Sequence, residues 1–149
     1  MPLSQHVLFV ADNEHNQDTD LFGRTLAERL SQSLALRGWT VSPFLELYYN
    51  CWTFFCERNE VTLQLMLAEL AIPQHWAVQI APKYTPGFLG RLLGRIVSAL
   101  PADIYAASKE IHDILCDWRD VRDIRWRWDM IPDDRNATAV PTHPTEERC

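Results

Sequence analysis

Hydrophobic residues recur along this chain with two periods, and the switches between them mark its elements. QHVLFV, Gln5 to Val10, is a short apolar run that predicts a strand. A polar, acidic loop follows, ADNEHNQDTD. Phe22, Leu26, Leu30 and Leu34 are then spaced by four, with Ala27 beside them, and predict a helix over Leu21 to Arg37. Asp18, Thr19 and Asp20 offer N-caps, and Gly38 offers a C-terminal stop.

From Trp39 to Pro82 the period becomes two. WTVSPFLEL, CWTFFCE, VTLQLML and WAVQIAP all read as strands. Val61, Leu63, Leu65 and Leu67 share one side, and Thr62, Gln64 and Met66 the other. Trp76, Val78 and Ile80 alternate with Ala77 and Gln79 in the same way. A hairpin turns at Asn59, and the whole segment predicts an antiparallel meander with one buried side. Helical spacing returns in GFLGRLLGRIVSAL, where Phe88, Leu89, Leu92, Leu93, Ile96 and Val97 form an apolar side of a helix over 87–100. Pro101 breaks it and suits the first turn of a helix over Asp103 to Trp118, with Ile104, Ile111, Leu115 and Trp118 inward. A last strand sets Ile124, Trp126 and Trp128 against Arg125, Arg127 and Asp129.

The predicted fold is α+β: one domain over 1–131, with a mostly antiparallel sheet of five to six strands and three helices packed chiefly on one side. The order is β-α-β-β-β-β-α-α-β. The polar, proline-bearing segment 132–149 has no periodicity and is expected to be a disordered tail. Its length of 149 residues, with 47% hydrophobic and 11% aromatic, suffices for a sizeable core.

A net charge of −6 argues against a nucleic-acid partner. RDVRDIRWRWD interleaves arginine with tryptophan, as a base-stacking strip does, yet its four arginines meet three aspartates. A structural strand, its arginines paired with acids across the sheet, fits better. No run approaches the ~18 apolar residues of a spanning helix, and Val7 to Ala11 is too short for a secretory signal. A cytoplasmic protein is expected, with no membrane partner. The helix over 87–100, with Arg91 and Arg95, also has the form of a membrane-surface helix, but a core helix fits better.

Motifs of catalysis are missing: there is no GxSxG, P-loop, GxGxxG or HExxH. No cofactor or metal is expected. Counted from Asp12, an EF-hand would need glycine at the sixth position and glutamate at the twelfth, where Gln17 and Gly23 stand. The cysteines, Cys51, Cys56, Cys116 and Cys149, lack zinc spacing and are expected to be reduced thiols. His112 and Cys116 lie one helical turn apart, but Asp113 and Asp117 would raise the thiol pKa. Two features point instead to a contact surface. One is the acidic loop with Asp12, Glu14, Asp18 and Asp20. The other is ELYYNCWTFFCE, where Glu46, Tyr48, Tyr49, Trp52 and Glu57 mix aromatics with acids.

The pieces LAERLSQSLALRGWTV, WAVQIAP, GFLGRLLGR and VRDIRWRW, in that order over residues 5 to 129, resemble small stand-alone bacterial proteins, among them immunity proteins that neutralise a toxin. The resemblance implies a cytoplasmic binder that is not an enzyme. The expected partner is then a basic protein, a cognate toxin domain whose active site it occludes. Two alternatives stay open. One is a small enzyme or ligand-binding module with a pocket between sheet and helices near His112, Cys116 or His75. The other is an oligomeric structural protein, such as a homodimer paired through the sheet.

Overall fold

The structure is a computed structural model and describes residues 4–12, 23–48, 51–83, 99–133 and 135–144, with the backbone alone at 46–48. Its elements are β1 Gln5–Ala11, α1 Arg24–Leu36, β2 Thr40–Val41, β3 Leu45–Tyr48, β4 Cys51–Arg58, β5 Val61–Glu69, β6 His75–Pro82, α2 Pro101–Asp117 and β7 Val121–Trp128. All strands join one antiparallel sheet in the order β2-β4-β5-β6-β1-β7, with β3 on the same edge of β4 as β2. The class is α+β, as expected. The expected single strand WTVSPFLEL is two. Ser42 still pairs with Phe55, its amide donating to the Phe55 carbonyl at 2.8 Å, but Pro43 has no N–H to continue the ladder.

Of the expected helix over 87–100, residues 87–98 lie outside the described residues. Leu100 is extended (φ −89°, ψ 161°) and caps α2 instead of ending that helix. The residue before a proline is pushed out of the helical region, and Pro101 then opens α2. Asp103 accepts the Leu100 amide at 2.8 Å and so closes the first turn. Helix α1 ends as its sequence predicts. Gly38 (φ 93°) and Trp39 return their amides to the carbonyls of Ala35 and Leu34, both at 3.1 Å. Its start differs. The cap is Gly23 in a left-handed conformation (φ 83°), and the expected caps Asp18, Thr19 and Asp20 lie outside the described residues. Glycine is required at position 23 because a Cβ there would stand 2.6 Å from the Trp76 ring.

Both helices lie on one side of the sheet. Leu26, Ala27, Leu30 and Leu34 of α1, with Ile104, Ala107, Ile111 and Leu115 of α2, share a core with Phe54, Leu65, Trp76, Ile80, Val7, Phe9, Trp126 and Trp128. Each helix is also clamped by an arginine that pairs with an acid and lies over a tryptophan. Arg29 of α1 gives two hydrogen bonds to Asp120, at 2.8 and 2.9 Å, and lies over Trp118. Arg58 of β4 grips Glu110 of α2 at 2.9 and 2.6 Å and lies over Trp39. Among the described residues no helix is long and apolar enough to cross a membrane.

The expected disordered tail is ordered over 135–144. Thr138 pairs with Trp126 at the outer edge of β7, with backbone bonds of 2.8 and 3.0 Å. The Thr142 carbonyl accepts the Trp128 indole N–H at 2.9 Å, and the His143 ring meets Tyr105 of α2 edge-on. Apolar periodicity could not reveal this strap, because backbone groups and an aromatic edge hold it.

Candidate functional site

Alternation puts a second set of side chains on the side of the sheet away from both helices. In register, Thr53, Met66, Gln79, His6 and Arg127 form one row across five strands. Cys51, Ala68, Ala77, Leu8 and Arg125 form the next. Ala68 and Ala77 face each other across β5 and β6 and present only methyl groups. Taller neighbours therefore leave a groove above them, of about 190 Å³, bordered by His6, Cys51, Met66, Leu70, Gln79 and Ile131. Ile131, which follows β7, is half exposed.

One end of the groove is polar. The Gln79 amide donates to Ser4 Oγ at 3.4 Å, and Ser4 Oγ lies 3.3 Å from His6 Nε2. The Ser4 amide in turn donates to Asp129 Oδ1 at 3.2 Å, and the Asp129 amide to the Ser4 carbonyl at 2.7 Å. The Ser4 hydroxyl, one donor with two acceptor sites, can accept from Gln79 and still meet His6 Nε2 in either imidazole tautomer. Nδ1 is buried, with the Met130 carbonyl as the backbone group that hydrogen-bonds this ring. Burial lowers the His6 pKa, against the Met130 carbonyl and the Asp129 charge, which raise it. The ring is thus neutral at pH 7. A serine beside a histidine has the outline of a nucleophile and its base. Here the serine is 6% exposed, and Asp129 Oδ1 accepts the Ser4 backbone amide.

This side carries charges of both signs, with Glu57 at the β4–β5 hairpin end and Asp129 beside Ser4. Arg125 and Arg127 flank the groove's rows on β7, and Lys83 lies over the Phe55 ring at 5.1 Å. Directly across β1 these arginines meet Leu8 and His6. Their opposite residues in the β1 ladder are therefore not acids. Arg122 of the same strand does meet acids, Asp12 at 3.0 Å and Asp123 at 2.7 Å.

The residues expected to form a contact surface are dispersed by the fold. Asp12 sits at the end of β1, held by Arg122. Glu14, Asp18, Asp20 and Tyr49 lie outside the described residues. Glu46 and Tyr48 are in β3, opposite Trp52 and Cys51, with side chains outside the description. Glu57 is exposed at the hairpin end of β4. Trp52 must be withdrawn as a contact residue: it is 6% exposed on the helix side, edge-on to Phe44, because its place in the alternation puts it with Phe54. Cys56 is buried there too, and burial pushes its thiol up to about 12. Cys51 faces the groove, so the two thiols point to opposite sides, as expected.

The expected pocket near His112 and Cys116 takes another form. Cys116 Sγ is 3.5 Å from His112 Nε2, while the Trp126 indole N–H donates to His112 Nδ1 at 3.0 Å. An indole nitrogen only donates, so Nδ1 is bare and the ring proton sits on Nε2, directed at sulfur. The imidazole is then a donor to the thiol and no base for it. Burial, Asp113 and Asp117 raise the thiol pKa as well. A cleft of about 250 Å³ does lie between α2 and the β4–β5 hairpin, but Trp39, Arg58, Asn59, Val61, Asp103, Ala106 and Ala107 line it. Its arginine is already bound to Glu110 and the Arg37 carbonyl. His75 is elsewhere, at the β5–β6 turn, with Nδ1 3.1 Å from the Pro73 carbonyl.

The groove residues Ser4, His6, Ala68, Gln79 and Ile131 were not singled out from sequence. The signal was present in part: Ala68 and Ala77 flank the β5–β6 turn as small residues on the polar side of two alternating strands. Compared with known proteins, the chain matches no family model, no curated protein and no solved structure.

Proposed function

We propose that the chain is a non-catalytic binding protein that receives a protein partner on the side of its sheet away from α1 and α2. One observation carries this reading. The described helices α1 and α2 pack on the same side, and the other side keeps Cys51, Phe55, Met66, Ala68 and Ile131 only partly covered. A sheet side that serves stability alone would be polar or buried; this one is neither. The residues whose chemistry is nearest to catalysis, His112 with Cys116 and Ser4 with His6, have hydrogen-bond arrangements that suit structure.

The likeness to immunity proteins supplies the kind of partner: a toxin domain whose active site is covered in the complex. The net charge of −6 speeds encounter with a basic partner, while the side away from α1 and α2 sets the contact. The test is a pull-down from the source cells with an N-terminally tagged chain, beside the variant Met66→Glu. The proposal expects one stoichiometric partner, toxic when produced alone, captured by the native chain and lost from the variant. Equal capture by both moves the contact to another surface. If no partner appears and sedimentation shows a dimer that Met66→Glu dissolves, the sheet side serves self-association instead.

A further inference from the structure

The strap 135–144 lies on the molecule as a bound peptide would. At the outer edge of β7 the Thr138 amide donates to the Trp126 carbonyl at 3.0 Å, and the Trp126 amide to the Thr138 carbonyl at 2.8 Å. This is how a peptide adds itself to a sheet edge. Further on, the Thr142 carbonyl accepts from two side chains at once, the Trp128 indole N–H at 2.9 Å and the Gln5 amide at 3.4 Å. Both donors are buried, at 2% and 0% exposed. Pro141, between these two anchors in the chain, is buried, and His143 meets Tyr105 of α2 edge-on at 5.3 Å.

The grip relies on backbone groups more than on apolar side chains, since Ala139 is exposed and Val140 is 55% exposed. Backbone groups are common to all extended segments, so pairing through them does not demand this one. Selection falls to Pro141 and Pro144. They stand three apart, the spacing that brings two prolines to one side of an extended threefold segment and that aromatic-lined grooves take up. The fit in cis is incomplete. Gln5 spends its Nε2 on Thr142, while its Oε1 is buried with no hydrogen-bond partner among the described residues. A buried acceptor without a donor is costly, so a segment that also supplies a donor there would hold better than the strap.

We propose that this cradle of β7 edge, Trp128, Gln5 and Tyr105 is a peptide-binding site, which exchanges the strap for an extended PxxP segment of a partner protein. Gln5 faces Trp128 in register on the helix side of the sheet, so the site is separate from the groove over Ala68 and Ala77. The Met66→Glu pull-down can therefore fail while this binding stands, and the reverse. The probe is a synthetic peptide of the sequence 135–144, labelled with fluorescein at its N-terminus. In the native chain the tethered strap competes at an effective concentration of about 1 mM, so the peptide should bind weakly. Pro141→Asp and Thr138→Pro, each made in the full chain so that one folded variant suffices, release the strap. Fluorescence anisotropy should then show saturable binding, tighter by about tenfold or more. A peptide carrying Thr138→Pro has no N–H for the Trp126 carbonyl and should bind the released chain about tenfold less tightly. On the native chain, unlabelled peptide at about 1 mM should shift the NMR signals of the Trp126 amide and the Trp128 indole. Signals that stay in place, a folded released chain that binds no tighter than the native one, or a Thr138→Pro peptide that binds as well as the natural sequence would overturn the site.

Discussion

Strand β5 carries two different proteins on its two sides. Leu63, Leu65 and Leu67 are at most 1% exposed beneath the helices, whereas Thr62, Gln64 and Met66 keep part of their surface in solvent. The backbone is the same, so the contrast belongs wholly to side chains and to what covers them. The helix side has large apolar groups, and its clamping cations are each held by an acid and stacked on a tryptophan. The other side mixes alanine, glutamine, histidine and methionine, and its β7 arginines face leucine and histidine across the ladder. Sides built for stability tolerate neither gaps nor unmatched charge. The side away from α1 and α2 keeps such a gap over Ala68 and Ala77, and this supports the proposal that it is the working surface.

The comparison is broken most directly by truncating adjacent residues. Leu65→Ala removes a fully buried side chain between Phe54 and Ile80 and should cost about 2–5 kcal/mol in guanidinium unfolding. Met66→Ala, one residue on, should cost less than about 1 kcal/mol. Equal losses would mean that both sides are core. Gly23→Ala tests the helix side from its backbone. It forces a left-handed residue and drives a methyl into Trp76, a ring with no room to yield, so about 2–4 kcal/mol should be lost.

How much of this was legible in sequence follows the range of the interactions. The alternation of β5, β6 and β7 and the glycine stop of α1 are local patterns, and each appears where expected. The turn at Asn59 is also local: Asn59 and Glu60 both have positive φ, 51° and 67°, in a two-residue hairpin. What was not legible depends on distant partners. Gly23 is a cap because of Trp76, fifty-three positions away in the numbering of the two contacts. The strap 135–144 is ordered because Trp126 and Trp128 present it with donors and acceptors. Trp52 seemed part of an exposed aromatic run, since only register shows which half of ELYYNCWTFFCE faces the helices. His6 and Ser4 gave no signal at all, being two apart in an unremarkable strand until Gln79 and Asp129 surround them.

The strap sharpens the comparison at the sheet's edge. Ending the chain after Asp133 strips Trp126 of two backbone bonds and Trp128 of its indole acceptor, a loss of about 1–3 kcal/mol. It also bares the outer edge of β7, an open row of donors and acceptors that invites another strand. Sedimentation should show concentration-dependent association of the shortened chain. A monomer of unchanged stability would show that the strap guards nothing.

The smallest effect concerns the helix side's own charges, and pH exposes it. Arg29 holds the Asp120 carboxyl below its ordinary value chiefly through their hydrogen bonds, against the opposing pull of partial burial. A carboxylate with a folded-state pKa below its unfolded one stabilises the fold at every pH above the unfolded value, about 3.9, and loses that contribution as pH falls through the folded value. Asp120→Asn keeps the shape and removes the charge, so at pH 7 it should cost about 1 kcal/mol. The gap between native chain and variant should stay constant from pH 7 down to about 5, then close as Asp120 takes its proton below about pH 4. A gap that persists into acid would mean that Asp120 acts through shape alone. Helix α1 would then owe its fit at Asp120 to packing and hydrogen bonds, and the Arg58–Glu110 pair would be the remaining place for charge to act on this side.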